Sequence, residues 1–199
     1  MKREATIERK TTETDIVLSI NIDGTGLGTI DTGIPFMDHM LRLFAAHGFL
    51  DIELKASGDI EVDYHHTVED VGICLGTAFK KALGDRSGIR RYGEACVPMD
   101  ESLVRVALDL SNRPVLSYNV PLPVRPSGNF DVGLVKEFLR AFATHAGITL
   151  HVDLIHGQEP HHIAEAIFKS LARALDTAIS LDERLSGRVR STKGTLETS

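Results

Sequence analysis

The chain has 199 residues, 42% hydrophobic and 25% charged, the balance of a globular protein that can bury a core in one or two small domains. Lys and Arg number 22 against 28 Asp and Glu, a net charge of −6, and no sustained basic run occurs, which argues against a nucleic-acid partner. No stretch approaches the roughly 18 to 20 apolar residues of a membrane span, and the mixed charges of Met1 to Lys10 are unlike a targeting peptide, so we expect a cytoplasmic protein.

The first half of the chain predicts three strands and two helices. Alternating or β-branched residues bounded by glycine predict strands over residues 16–22, 27–32 and 52–56. A helix is predicted over 35–47, because Pro35 suits a helix start and Gly48 a helix stop. Apolar residues at helical spacing predict a second helix over 68–83, with Gly84 after its last turn.

The second half predicts the same elements in the same order. Strands are predicted over residues 103–110, 115–120 and 148–155, and helices over 132–146 and 162–179. Sequence identity supports this repeat at one constant offset, where Leu41, Arg42, Phe44, Ala45 and His47 match Leu139, Arg140, Phe142, Ala143 and His145. The duplication predicts an α/β (α+β) fold, in which a unit of mixed sheet with helices packed on one face is built twice, over 1–90 and 91–199.

Two histidine pairs stand at equivalent positions of the two repeats. His65-His66-Thr67-Val68-Glu69 opens one predicted helix, and His161-His162-Ile163-Ala164-Glu165 opens its repeat partner. At about 100° per residue, the first histidine and the glutamate of each motif share a helix face, whereas the second histidine points elsewhere. Imidazole and carboxylate without thiolate suit manganese, iron or zinc. The motifs therefore predict two metal ions, each shared between both motifs.

If the two motifs face each other, the ions take crossed ligand sets. The expected ligands of one ion are His65, Glu69 and His162, and those of the other are His161, Glu165 and His66. The repeat offers each ion one further ligand from the preceding helix, His39 or its counterpart Glu137. His47 and His145 compete for that role, although their place at helix C-termini favours capping. The alternative for the motifs themselves is that the histidines cap helix starts and the glutamates are solvated acids favoured by the helix dipole.

Two further segments complete the pattern, Gly33-Ile34-Pro35-Phe36-Met37-Asp38-His39-Met40 and Ser191-Thr192-Lys193-Gly194. With the histidine motifs, they resemble the imidazoleglycerol-phosphate dehydratase family, from Thr12-Glu13-Thr14 to the tail. The resemblance implies a manganese-dependent hydro-lyase of histidine biosynthesis with two Mn²⁺ per active site, in a homo-oligomer of 24 chains with sites at subunit interfaces. Some family members have histidine at the position of Glu137, which leaves open whether this carboxylate binds metal directly or through water.

The resemblance also implies roles for residues outside the metal motifs. Glu13 and Glu165 are its candidates for proton transfer. The candidates for phosphate binding are Arg91, Arg113, Lys169, Ser191 and Lys193. Lys169 has independent support, since it lies one helical turn beyond Glu165 on the same face. A metal-dependent hydrolase, which would turn over phosphate esters or peptides, and a metal-buffering assembly, which would turn over nothing, remain the alternatives.

Overall fold

A computed structural model describes residues 2–121 and 127–196. The strands are β1 (Glu4–Lys10), β2 (Thr14–Asn21), β3 (Gly28–Asp31), β4 (Asp51–Gly58), β5 (Tyr92–Met99), β6 (Ser102–Asp109), β7 (Val115–Asn119) and β8 (Thr149–His156). The α-helices are α1 (Pro35–Gly48), α2 (His65–Leu83), α3 (Leu134–Ala146) and α4 (Pro160–Ile179), and a 3₁₀ turn covers Glu183–Leu185. The parts of the predicted halves at 1, 122–126 and 197–199 lie outside the described residues.

The duplication is visible in the sheets. One sheet has the order β1-β2-β4-β3 and the other β5-β6-β8-β7, so every strand of the first has a counterpart in the second. In both sheets the last pair is parallel and the other pairs are antiparallel. The predicted fold, a mixed sheet with helices built twice, is thereby confirmed, and the predicted boundary at residue 90 falls between α2 and β5.

Two strands were not predicted, and both lie at sheet edges. β1 reads Glu-Ala-Thr-Ile-Glu-Arg-Lys and has no fully buried residue, and β5 carries Pro98 near its end. An edge strand needs only one hydrogen-bonded neighbour and tolerates charge and proline, so its sequence lacks the apolar alternation of an inner strand. β2, in contrast, alternates buried and exposed positions, because one face covers the core.

The helices of the two halves pack on each other between the sheets, α2 against α3 and α1 against α4. α2 also covers β1 and β2, and α4 covers β5 and β6. Gly72 and Gly76 allow α2 and α3 to approach closely, since a Cβ atom at Gly76 would lie 2.6 Å from the carbonyl oxygen of Phe142. The apolar core is therefore continuous across both halves.

Each helix pair contains one helix from each half, which decides where the histidine motifs lie. α2 begins at His65 and α4 at Pro160, directly before His161, so each motif occupies the first turn of a long helix. Because α1 lies along α4, its first turns reach the second motif, and α3 reaches the first motif in the same way. No helix in the described part of the chain combines the length and hydropathy that a membrane span requires.

Candidate functional site

The adjacent histidines of each motif point in different directions, as the helical spacing predicts. The rings of His65 and His66 are 6.1 Å apart and nearly perpendicular at 87°. The rings of His161 and His162 repeat this arrangement at 6.2 Å and 88°. Each motif can therefore serve two separate points in space.

The first metal-type cluster lies where α1 meets α4. Nε2 of His39 is 3.0 Å and Nε2 of His161 is 3.1 Å from the same oxygen, Oε1 of Glu165. Among the described residues these three are the one group of His, Cys, Asp or Glu whose ligand atoms all lie within 4.8 Å of one another. Two imidazoles and a carboxylate without thiolate fit manganese, iron or zinc, so these residues suit the metal that the sequence predicts. Of the two α1 histidines, His39 is the one that lies in this cluster.

Glu165 is ionised in this setting. Burial alone would raise its pKa, since the side chain is 8% exposed. Hydrogen bonds with Lys169, His39 and His161 outweigh the burial and hold the pKa of the carboxyl at about 2. The cluster therefore presents a carboxylate, the form that binds a cation, over the whole physiological pH range.

The second cluster is the repeat counterpart of the first and lies where α2 meets α3. Nε2 of His65 is 3.6 Å from Oε2 of Glu69, and the guanidinium of Arg140 lies 3.8 Å from the other oxygen of Glu69. Arg140 also pairs with Glu137, the counterpart of His39. Glu69 and Glu137 thus meet around one arginine, which offsets part of their negative charge, and His65 lies beside Glu69.

The second histidine of each motif turns away from its own cluster toward a loop carboxylate. Nδ1 of His66 lies 3.0 Å from Oδ2 of Asp59, and Nδ1 of His162 lies 2.6 Å from Oε2 of Glu101. On the opposite side of the His66 ring, Nε2 is 3.9 Å from Oε1 of Glu13, whose side chain is half exposed. Nε2 of His162 likewise lies 3.6 Å from Oδ2 of the exposed Asp100. The short contacts of His66 and His162 are therefore at Nδ1, and each Nε2 has a longer contact with an exposed carboxylate.

Four of the five predicted phosphate-binding residues line one pocket of about 780 Å³, together with Arg190: Arg91, Arg113, Ser191 and Lys193. Arg91 is 8% exposed, because its guanidinium donates to both carboxylate oxygens of Asp109 at 2.7 and 2.9 Å and to the carbonyl of Arg190 at 2.7 Å. The exposed cations of the pocket are Arg113, Arg190 and Lys193. A pocket with this excess of positive charge is suited to an anion.

Lys169 lies elsewhere, beside the first cluster. Its ammonium group donates to Oε2 of Glu165 at 2.6 Å and contacts Sδ of Met99 at 3.1 Å. The phosphate-type pocket is at the other end of α4, where the amide of Arg91 donates to the carbonyl of Ala178. Thirteen residues separate Glu165 from Ala178, a rise of about 20 Å along an α-helix. The two regions of one chain are therefore far apart.

The chain matches one protein family over most of its length. The family model described as imidazoleglycerol-phosphate dehydratase matches residues 32–175. The chain is 60% identical over 196 residues to the imidazoleglycerol-phosphate dehydratase of Citrifermentans bemidjiense, covering 98% of this chain and 100% of that protein. It is 59% identical over 194 residues to that of Caldanaerobacter subterraneus, with 98% and 100% covered.

This chain belongs to the imidazoleglycerol-phosphate dehydratase family. Solved structures agree: that of the dehydratase from Staphylococcus aureus has a TM-score of 0.82 at 40% identity, covering 90% of this chain and 99% of that chain. The structure from Pyrococcus furiosus, in complex with (S)-C348, has a TM-score of 0.82 at 39% identity, covering 95% and 99%. The dehydratase family is one of hydro-lyases in histidine biosynthesis, so the alternatives of a hydrolase and a metal buffer are set aside.

Three residues that contact the predicted site residues or line the same pocket carry no motif in the sequence analysis: Asp59, Glu101 and Arg190. Glu101 directly precedes β6 as Glu13 directly precedes β2, so the repeat itself could have pointed to it. Asp59 and Arg190 carry no such signal, because their contacts depend on where loops and the tail fold back. His151 and His156 are exposed on β8.

Proposed function

We propose that the chain eliminates water from imidazoleglycerol phosphate at a centre of two divalent ions, with manganese as the expected metal. The observation that supports this most strongly is the meeting of His39, His161 and Glu165, predicted ligands from both halves of the chain, around a space of metal-site dimensions. The counterpart cluster of His65, Glu69 and Glu137 supports a second ion.

We propose that a neighbouring copy completes each ligand set. The first ion would take His39, His161 and Glu165 from one chain and His66 from another, and the second would take His65, Glu69 and Glu137 with His162 from another. His66 lies in the first turn of α2, which packs on α3, whereas the first cluster lies between α1 and α4. The crossed ligand sets of the sequence analysis are therefore proposed as contacts between chains.

The separation along α4 supports the same conclusion. The substrate is an imidazole ring joined by a three-carbon chain to a phosphate, far shorter than the rise of about 20 Å between the metal cluster and the phosphate-type pocket of one chain. A single substrate can reach both only if they come from different chains. This fits the proposed homo-oligomer of 24 copies with sites at subunit interfaces, acting in the cytoplasm.

When bound, the ions would supply Lewis acidity that stabilises negative charge on the imidazole ring as the carbon-bound proton and the hydroxyl leave. Arg113, Ser191 and Lys193 would hold the phosphate and so fix the distance from the ring to the reacting carbons. Lys169, beside Glu165, would donate a hydrogen bond to the part of the substrate near the metal ions, and not to its phosphate group. Glu13 would move a proton at Oε1, with Glu165 as the other candidate.

The activity is tested by ultraviolet detection of imidazoleacetol phosphate formed from imidazoleglycerol phosphate, with manganese added to or withheld from metal-free protein. We expect product only with metal. Product at the same rate after complete metal removal would refute the metal-dependent mechanism. Release of inorganic phosphate instead of the ketone would indicate a hydrolase.

A further inference from the structure

We propose that Asp59 and Glu101 are positioning residues, which hold Nδ1 of His66 and His162 so that Nε2 of each ring is presented to a metal ion. This inference rests on the proposed two-metal function. It adds two residues that neither the histidine motifs nor the phosphate-type pocket contain.

The contacts of the two kinds of histidine differ in a consistent way. His39 and His161 approach Glu165 through Nε2, which is also the atom that His65 turns toward Glu69. His66 and His162 instead meet their carboxylates through Nδ1, at 3.0 and 2.6 Å. The rings that remain inside their own cluster therefore meet its glutamate through Nε2. The rings that leave it make their shortest carboxylate contact through Nδ1, and their Nε2 atoms lie farther from carboxylates, 3.9 Å from Glu13 and 3.6 Å from Asp100.

A neutral imidazole carries one N–H and one lone pair, and a carboxylate at Nδ1 decides between them. If Nδ1–H donates to Asp59 or Glu101, the lone pair stands on Nε2, which is the form that binds metal. The carboxylate also fixes the ring plane and increases the basicity of the ligating nitrogen. The orientation of a ligand that must reach a neighbouring chain is thus set before the chains meet.

The two carboxylates come from different places in the repeat. Asp59 directly follows β4, whereas Glu101 directly precedes β6, where its repeat counterpart is Glu13. Simple copying of one half would have placed both partners on the same loop. A carboxylate therefore contacts Nδ1 of the second histidine in both halves, although it comes from a different loop in each. This points to the contact itself as the functional feature.

Glu101 is itself held in place by its other oxygen. Oε1 accepts from the amides of Gln158 and Glu159, at 3.2 and 2.9 Å, and from the hydroxyl of Ser102 at 2.9 Å. Oε2 accepts from His162 and from no other residue that the structure describes. A carboxylate fixed in this way positions a ring more firmly than a free surface side chain would.

One substitution keeps the hydrogen bonds that anchor the side chain at position 101 but changes the group that it presents to His162. In Glu101→Gln the amide oxygen still accepts from Gln158 and Glu159, while the NH₂ group faces Nδ1 and favours the proton on Nε2, the wrong form for metal binding. In Asp59→Ala the side chain loses only its contact with His66. Asp59→Asn should restore part of the effect, since an amide oxygen can accept from Nδ1–H.

The metal-free protein is titrated with Mn²⁺, and the free ion is measured by its electron paramagnetic resonance signal. We expect one class of sites to bind Mn²⁺ about 10–100-fold more weakly in Glu101→Gln and in Asp59→Ala. The unfolding temperature of the metal-free protein should not change in Glu101→Gln. The matched control is Glu159→Gln, which removes a charge that also acts on His162 but makes no side-chain hydrogen bond among the described residues. Its Mn²⁺ affinity should stay within about twofold of the wild type.

A double substitution decides whether Glu101 acts through His162. In a His162→Ala background, Glu101→Gln should produce no further loss, because the ring that it positions is gone. Wild-type affinity in Glu101→Gln and Asp59→Ala, or an equal loss in the His162→Ala background, would overturn the inference and leave the two-metal proposal intact. If the wild-type protein itself binds no Mn²⁺, both proposals fail together.

Discussion

The ammonium group of Lys169 lies 2.6 Å from Oε2 of Glu165, one helical turn away on α4. The other oxygen of the same carboxylate faces His39 and His161. Glu165 therefore stands between a lysine and two imidazoles, with the lysine side chain 15% exposed. The carboxylate is therefore shared between the ammonium group of Lys169 and the two imidazoles of the metal-type cluster.

We predict that Lys169→Met lowers turnover but binds Mn²⁺ more tightly. Removing a positive charge beside Glu165 removes repulsion of the ion, an effect on the order of 1 kcal/mol or roughly fivefold in Kd. Turnover should fall because the ammonium is proposed to donate to the substrate. Titration with Mn²⁺ and steady-state assays would measure the two effects, and Lys169→Arg, which keeps the charge, is the control. Weaker metal binding in Lys169→Met would contradict this account.

Gly76→Ala should destabilise the fold. The new methyl group would lie 2.6 Å from the carbonyl oxygen of Phe142 and 3.0 Å from the amide of Ala146, so α2 and α3 must move apart. Overpacking of this kind costs about 1–3 kcal/mol, which exceeds the gain of about 1 kcal/mol in helix propensity. Denaturant unfolding would measure it, with Lys80→Ala on the exposed side of α2 as the control. Equal stability of the two variants would show that the helices can separate at no cost.

Complementation tests the sharing of a metal site between chains. His66→Ala and His161→Ala should each be inactive, because both remove a ligand of the same ion. Mixed oligomers made by co-expression should regain up to about a quarter of wild-type activity, since random pairing joins an intact His161 with an intact His66 at about one interface in four. Mixtures that stay inactive while each variant assembles normally would place both ligands in one chain.

Arg113→Ala and Lys193→Ala should weaken phosphate recognition without removing metal. Both residues are exposed in the pocket of about 780 Å³ and away from the metal clusters. Loss of one charge-assisted contact costs on the order of 1.5 to 3 kcal/mol in kcat/KM. Mn²⁺ content by elemental analysis should equal that of the wild type. An equal loss with an unphosphorylated imidazole substrate would argue against a phosphate role.

The helices and their motifs could be predicted from sequence because their signals are local. The apolar spacing of 68–83 and the divergence of His65 from His66 both follow from 3.6 residues per turn, and the structure shows both. The edge strand β1 could not be predicted in the same way, because its charged alternation resembles a solvated segment.

The partners of the site residues were harder to predict than the residues themselves. Lys169 reaches Glu165 by helical spacing alone, since it lies one turn further along the same face of α4. Asp59 reaches His66, and Glu101 reaches His162 across 61 positions, only after the strands have set the loops beside the helices. Contacts made by loops depend on tertiary packing, so the spacing of residues in the sequence does not predict them.

Glu13 lies outside both metal clusters. Its Oε1 is 3.9 Å from Nε2 of His66, on the side of the ring opposite to Asp59, and its side chain is 50% exposed. The loop that carries it is held by its own hydrogen bonds, since Thr11 Oγ1 accepts from the amide of Glu13 at 3.1 Å. The carboxylate is thus placed beside a proposed metal ligand, and no other residue in the described part of the chain forms an ion pair with it.

Glu13→Gln should therefore keep the fold and both metals but lose turnover by about 10²–10⁴-fold, because the amide preserves size and hydrogen bonding while removing the titratable proton. Substrate binding, measured by calorimetry on the Mn²⁺-loaded variant, should stay close to that of the wild type. Glu61→Gln, an exposed acid in the loop between β4 and α2, is the matched control and should keep normal turnover. Near-normal turnover of Glu13→Gln would return Glu13 to the role of a solvated loop acid and move proton transfer to Glu165 or another group at the metals.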